Sequence, residues 1–223
     1  MVAAEREHRQ LVRPRRAAKT EVDAPRMKRR ERAELLGDPR PGQAVHAIPG
    51  SGTHVPLWIL GSSLYGAQLA AALGLPYAFA LHFAPQALLP ALEVYRDRFQ
   101  PSEQLGEPYA MVGANAIVAD DDADARRLFT SAQQAFTNIQ RGRRGPLPAP
   151  IDDIESYWSP EEKLRASEML RRSFVGAPAT VRQGLEAFAA ETNADELIVA
   201  AAIHDHAARL RSYELLANTV PGT

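Results

Sequence analysis

VPLWILGSSLYGAQLAAALGLPYAFALHFAP, residues 55–85, decides the fold by the order of its residue types. An apolar run of strand length, 56–60, breaks at Gly61-Ser62-Ser63. The Ala- and Leu-rich residues that follow, 64–73, read as a helix that stops at Gly74, the residue type that most easily takes a left-handed conformation at a helix end. A second apolar run, 77–81, comes at once and is apolar at every position, as a strand covered on both faces should be. Strand, turn, helix and strand in this order make a parallel βαβ unit.

The turn also has chemistry of its own. The first N–H groups of a helix lack internal partners, and the aligned peptide dipoles put roughly half a positive charge there. A phosphate is therefore held at such a point by backbone alone. Gly61 would let a ligand approach the backbone, and the Ser62 and Ser63 hydroxyls would either cap the helix or donate to phosphate oxygens. An ordinary serine-capped βα turn would look the same, so the turn alone leaves both readings open.

Working outward, the alternation continues. Further strands are expected over 109–118 and 196–201, with helices over 86–99, from 120–122 to about 140, over 159–173, over 177–192 and over 205–216. Asp120-Asp121-Asp122 reads as a helix cap rather than a metal site, because acidic groups are favoured at a helix start. Pro160 after Ser159 marks another helix start, and the Gly/Pro-rich segment 141–150 is a break followed by a loop to Trp158. His204-Asp205-His206 puts two imidazoles two residues apart, but Asp205 is better read as an N-cap than as part of a metal site. No metal site is expected. Arg209 and Arg211, one turn on, suit surface salt bridges better than anion binding.

Three later stretches belong with the first: EPYAMVGANAIVADDDADARRLF (107–129), FVGAPATVRQGLEAF (174–188) and ADELIVAAAIHDHAARLRSYEL (194–215). Together with 55–85 they resemble the bacterial luciferase-like flavin-dependent monooxygenases, over about residues 47–217. The resemblance implies a (β/α)8 TIM-barrel family that binds reduced FMN, or in some relatives a deazaflavin, at the C-terminal ends of the strands. It extends only to the C-terminal half of that barrel: four βα units, with an extra helix before the last strand. Such a half has two open strand edges and an uncovered apolar inner face. It would cover itself by pairing with a second half, by dimerising or by relaxing into an open sheet.

The resemblance carries the flavin phosphate contacts onto Gly61, Ser62, Ser63, Leu64 and Tyr65. A threonine used there by some relatives is Gly66 here, and arginines from the other half of the family barrel have no counterpart, so weaker binding is expected. Phe83, at the end of the second strand, would line the flavin cavity. His82 beside it is the catalytic candidate, since an imidazole can donate a hydrogen bond or pass a proton; a histidine capping a strand end is the equal alternative. Asn115 would point into the barrel as a ligand contact. Tyr157 and Trp158 would form a lid near the barrel mouth or pack the loop onto the body. FMN is expected ahead of a deazaflavin, with a small-molecule substrate, molecular oxygen and a separate flavin reductase as partners, and a homo-oligomer as the assembly. A non-catalytic half that completes the barrel of a partner chain is the alternative function.

Composition sets outer bounds. The 223 residues are 45% hydrophobic, enough for one packed core, and contain no cysteine, which removes disulfides, thiolate nucleophiles and Cys-based metal sites. No run approaches the roughly 20 apolar residues of a membrane helix, so a cytoplasmic protein is expected. Residues 1–43 hold 12 Lys and Arg against 7 Asp and Glu, leaving 14 against 20 for the remainder. This basic head lacks interleaved aromatics and a helical stripe, so it is expected to be solvated and disordered, with no nucleic acid bound. A truncated product, a displaced start or a reading-frame error would each put such a head before a barrel half. The domains expected are thus the head (1–43), the half barrel (44–218) and a disordered tail (219–223).

Overall fold

The computed structural model describes residues 36–39, 41–44 and 46–219. The tail beyond 219, and all of the basic head except 36–39 and 41–43, lie outside them. The longest strand, β3 (Ala110–Val118), is the spine of a five-stranded parallel sheet. Met111 is paired with Ala78 of β2 (Tyr77–Phe79) and with Glu196 of β5 (Glu196–Ala200), so these strands flank β3 on opposite edges. β1 (Ile59–Gly61) pairs with β2 from the far side. The strands β1, β2, β3 and β5 thus lie side by side in chain order.

β4 (Ser173–Gly176) was not expected from the sequence, which placed a helix end there. It pairs with the last four residues of β3, from Asn115↔Ser173 to Val118↔Gly176. Asn115 also pairs with Ala200 of β5, so β4 takes the edge that β2 vacates after Phe79. There the chain leaves the sheet in two short 3-10 turns, Leu81–Phe83 and Pro85–Ala87, which shorten the expected strand over 77–81 and delay the next helix.

β1 is also shorter than the 56–60 run. Leu57 is held by a side chain instead of a strand: Gln104 accepts from Leu57 N at 3.2 Å and donates to Leu57 O at 2.9 Å.

The helices begin and end where local chemistry dictates. α1 (Leu64–Leu73) starts at Ser63 and stops at Gly74, which has φ 62° and returns its N–H to Ala70 O and Ala71 O. α2 spans Leu88–Asp97. α3 (Asp122–Gln140) is capped by Asp121, which accepts from Asp124 N at 2.8 Å, so the acidic triplet acts as a cap. Next come α4 (Pro160–Leu170), with a full Ser159/Glu162 capping box, and α5 (Pro178–Thr192). α6 (His206–Ala217) is capped by Asp205, which accepts from Ala208 N at 2.8 Å.

The core lies on one face of the sheet, and α1, α2, α5 and α6 supply its helical side. Residues 110, 112, 114, 116 and 118 of β3 alternate toward a core built with Tyr77 and Phe79 of β2, Ala67, Ala70 and Ala71 of α1, Leu88, Leu92 and Tyr95 of α2, and Val181, Leu185 and Phe188 of α5. The Tyr95 hydroxyl, fully inside this core, donates to Leu75 O at 2.9 Å and accepts from Tyr109 N at 3.1 Å, tying α2 to the starts of two strands.

The opposite face is different. Leu60, Ala78, Met111 and Glu196 form one row across four strands, and Gly113 and Ile198 lie in the next row but one along β3 and β5. Leu60 is 73% exposed and Ile198 59% exposed. Toward the C-terminal end of β3 this face is covered, with Gly113 buried and Ile117 fully so, and it is bare around Leu60 and Ile198. Burying an aliphatic side chain of this size is worth about 1.5–3 kcal/mol, so the bare part is a large unrealised gain.

Candidate functional site

In a parallel sheet the C-terminal ends of the strands share one edge, and the candidate site residues collect there. β1 ends at Gly61 and β2 leads into the His82–Phe83 turn, with Ala80 N donating to Gly61 O at 2.9 Å between them.

The loop at 61–65 has the free donors that an anion needs. Ser63 caps α1 from an extended conformation, its hydroxyl accepting a long 3.4 Å bond from Gly66 N. Its carbonyl accepts from the Tyr77 hydroxyl at 3.2 Å, and burial pushes Tyr77 up to about 12, so this phenol stays protonated. Among the described residues, Ser62 Oγ and the N–H groups of Leu64 and Tyr65 have no hydrogen-bond partner. Leu64 and Tyr65 are themselves exposed, at 44% and 47% of their surface. A methyl group at Gly61 would meet Gly66 Cα at 3.5 Å and the Tyr77 ring at 3.8 Å, both ordinary contacts. Strand–helix packing therefore does not require glycine at 61.

His82 and Phe83 are exposed at the end of β2, their rings 4.3 Å apart at 49°. Phe83 is 68% exposed, an aromatic surface with nothing on its outer side among the described residues. His82 joins Gly113 and Asn115 in lining a cavity of about 400 Å³ with Phe136, Met169 and Ser173. Asn115 donates from Nδ2 to Ser173 Oγ at 3.1 Å, a partner supplied by the unexpected strand β4. Arg172 also lines this cavity, but its guanidinium is spent on Glu191, bonded at 2.7 Å through one nitrogen and closer through the other, and lies over the Phe188 ring. The structure thus brings His82 and Asn115 together. Residues 61–65 line neither this cavity nor the groove next to it, described below.

The loop from 141 to 158 packs onto the body. Trp158 is 9% exposed and donates to Glu155 at 3.3 Å, so the lid expectation gives way to packing. Arg141 holds the loop's start and end: its guanidinium reaches Glu162 at 2.7 and 2.9 Å and Tyr157 O at 2.8 Å, and stacks on the Tyr157 ring at 4.9 Å. Arg141 in turn holds the Glu162 carboxyl at about 2, with the Ser159 N–H as a second cause. Side chains of α3 grip the loop's middle, Gln134 at Ala149 O (2.9 Å) and Thr130 at Ile151 N (2.9 Å).

The other candidates resolve as structure. Arg209 bonds His206 Nδ1 at 2.9 Å, and Arg211 pairs with Asp120 at 2.9 Å. Among the described residues no cluster of His, Asp or Glu could hold a metal, and no helix is long and apolar enough to cross a membrane.

A second concave surface was not legible in the sequence. A groove of about 800 Å³ runs from His82 and Phe83 past Phe136 and Tyr157 to Arg143 and Arg144. Its formation depends on where the 141–158 loop settles, which no local pattern reveals.

Comparison with known proteins agrees with this architecture. A family model described as luciferase-like monooxygenase matches residues 14–196, a range that starts inside the basic head. A luciferase-like monooxygenase of Escherichia coli K12 is 51% identical over 191 residues, which are 83% of this chain and 56% of that protein. Among solved structures, that of apo-MsnO8 is similar at 32% identity with a TM-score of 0.74, over 85% of this chain and 57% of the other. The oxygenating constituent of 3,6-diketocamphane monooxygenase from Pseudomonas putida, solved with FMN, shares the fold at 20% identity and a TM-score of 0.50, over 79% and 52% of the two chains. The chain spans little more than half the length of these relatives.

Proposed function

The chain belongs to the luciferase-like monooxygenase family, and from that premise we propose that it is a flavin-dependent oxidoreductase that takes reduced FMN. The observation that carries this reading is the set of unpartnered donors at the end of β1. The hydroxyl of Ser62 and the N–H groups of Leu64 and Tyr65, without partners among the described residues, lie at a helix start beside a glycine that packing does not need. These are the residues that would hold the flavin phosphate, and a doubly charged phosphate is the ligand such donors favour most.

Bound reduced FMN supplies the electrons that activate molecular oxygen for insertion into a small-molecule substrate. The protein's part is to bind, orient and shield. Phe83 offers a flat apolar surface for the flavin ring, and the Asn115 amide, steadied by Ser173, offers a polar contact at the strand ends. A ring nitrogen of His82 would hold or pass a proton at the mouth of the cavity. Reduced flavin would come from a separate reductase.

A second reading is favoured by the bare sheet face. The chain would then complete the barrel of a partner, or pair with a second copy, through the row that includes Leu60 and Met111 together with Ile198, and through the open edges of β1 and β5.

Anaerobic titration with reduced FMN separates the two. Saturable binding by the isolated chain supports the cofactor reading. Well-folded protein that leaves reduced FMN free contradicts it and moves the partner reading to first place.

A further inference from the structure

We infer that the groove between Phe83 and the 141–158 loop is a substrate site for small organic anions, with Arg143 and Arg144 recognising the carboxylate or sulfonate of an apolar-bodied molecule. The role of the bound anion as substrate rests on the monooxygenase reading; its binding does not.

Three observations carry the assignment. The first is charge. Of the residues lining the groove, Arg143 and Arg144 carry fixed charge, His82 is titratable, and no carboxylate is among them. Other arginines near the site are already paired: exposed Arg127 with Asp152 at 2.8 Å, and half-buried Arg141 with Glu162 and Arg172 with Glu191. Among the described residues neither Arg143 nor Arg144 has an ion-pair partner. Both arginines line the groove and none of its other lining residues is a carboxylate, so an anion bound there would meet two positive charges with no competing counter-charge among the lining residues.

The second is rigidity. The arginines sit just past the end of α3, where Arg143 N donates to Asn138 O at 2.8 Å and Gly142, with φ 70°, turns the chain. The Tyr157 hydroxyl closes on Asn138 Oδ1 at 2.8 Å, and Arg141 clamps the loop's far end to Glu162. The loop that presents these arginines is therefore held before any ligand arrives, which lowers the cost of binding.

The third is the remaining wall. Phe83, Phe136 and Tyr157 supply aromatic surface, and His82 lines both this groove and the cavity at the strand ends. A ligand with its anionic end on the arginines and an apolar body along these rings would lead toward His82. About 800 Å³ suits such a molecule.

The test compares two probes of one shape, 2-naphthoate and its neutral amide 2-naphthamide, by saturation-transfer NMR. It uses the full chain, an Arg143→Gln/Arg144→Gln variant and an Arg126→Gln control on the exposed side of α3. The naphthoate is expected to bind the wild type and the control about tenfold or more tightly than the amide, as a charge-assisted pair requires, and the difference should collapse in the double variant. FMN affinity, measured on the same samples, should be unchanged by the double substitution. Equal binding of the two probes by the wild type, no binding of millimolar naphthoate, or a preference that survives in the double variant overturns the assignment. So does a fall in FMN affinity in that variant as large as the fall for naphthoate, which would give the arginines to the flavin phosphate. Failure of FMN to bind at all counts against the cofactor reading alone, since the naphthoate comparison is still decided by its own ratio.

Discussion

The Tyr77 hydroxyl donates to the carbonyl of Ser63 at 3.2 Å, fixing the residue that starts α1 to the strand beside it. The ring beneath that hydroxyl is fully buried, and a methyl added at Gly61 or Gly66 would come within 3.8 Å or 3.5 Å of it, so this side chain lies against the turn. The backbone of the 62–65 turn is thus tied to β2 through Ser63.

Tyr77→Phe keeps the ring and removes this bond. It is expected to cost about 1 kcal/mol of stability, read by urea unfolding, and to weaken FMN binding several-fold through the loosened loop. Unchanged flavin affinity in a folded variant would show that Tyr77 does not position the turn.

The Arg141–Glu162 pair should give the protein an acid-sensitive component. Glu162 is held at about 2 in the folded chain against an ordinary 4.5, so its contribution is complete above about pH 4.5 and is lost as the pH falls toward 2. Thermal melts across this range should show a steeper fall for the wild type than for Glu162→Gln. The substitution should also loosen the 141–158 loop, read as faster proteolysis there.

Gly176→Ala is expected to destabilise the β4 insertion. A methyl at that position would lie 2.6 Å from Asp122 Oδ1 and 2.8 Å from Thr180 Cγ2, where Asp122 also accepts from Ala177 N at 2.7 Å. The cost should be about 1–3 kcal/mol by denaturant unfolding, as for other overpacked sites. A neutral outcome would mean that the end of β4 is not held against α3 as described.

Leu60→Asp with Ile198→Asp puts charge on the bare sheet face. If that face is covered by a second copy, sedimentation should show the wild type self-associating and the double variant monomeric. The variant's melting temperature at low concentration should be little changed, because the side chains are exposed in the single chain. A monomeric wild type with the same solubility as the variant would contradict pairing with a second copy.

Local chemistry was legible in the sequence and long-range contact was not. Gly74, Asp121, Ser159 and Asp205 announce helix ends through residue type alone, and all four cap as expected. β3 was legible because it is long and apolar. β4 was not: its four residues are short and follow a helix, and only their pairing with the far half of β3 makes them a strand. β1 lost its expected first residues to the Gln104 side chain, a contact 47 residues away in sequence. Of the candidate site, His82, Phe83 and the 61–65 turn could be named from their order in the chain. The Asn115–Ser173 bond, the paired state of Arg172 and the unpaired state of Arg143 and Arg144 depend on where distant segments meet.

The most direct measurement is a comparison of reduced FMN with reduced riboflavin, which lacks the phosphate, titrated anaerobically into the wild type and into Ser62→Ala/Ser63→Ala. The wild type is expected to bind FMN about tenfold or more tightly than riboflavin, and the variant should lose most of that preference while remaining folded by circular dichroism. Equal affinity for the two flavins in the wild type, or a preference for FMN that the double substitution leaves intact, would contradict a phosphate site at the start of α1.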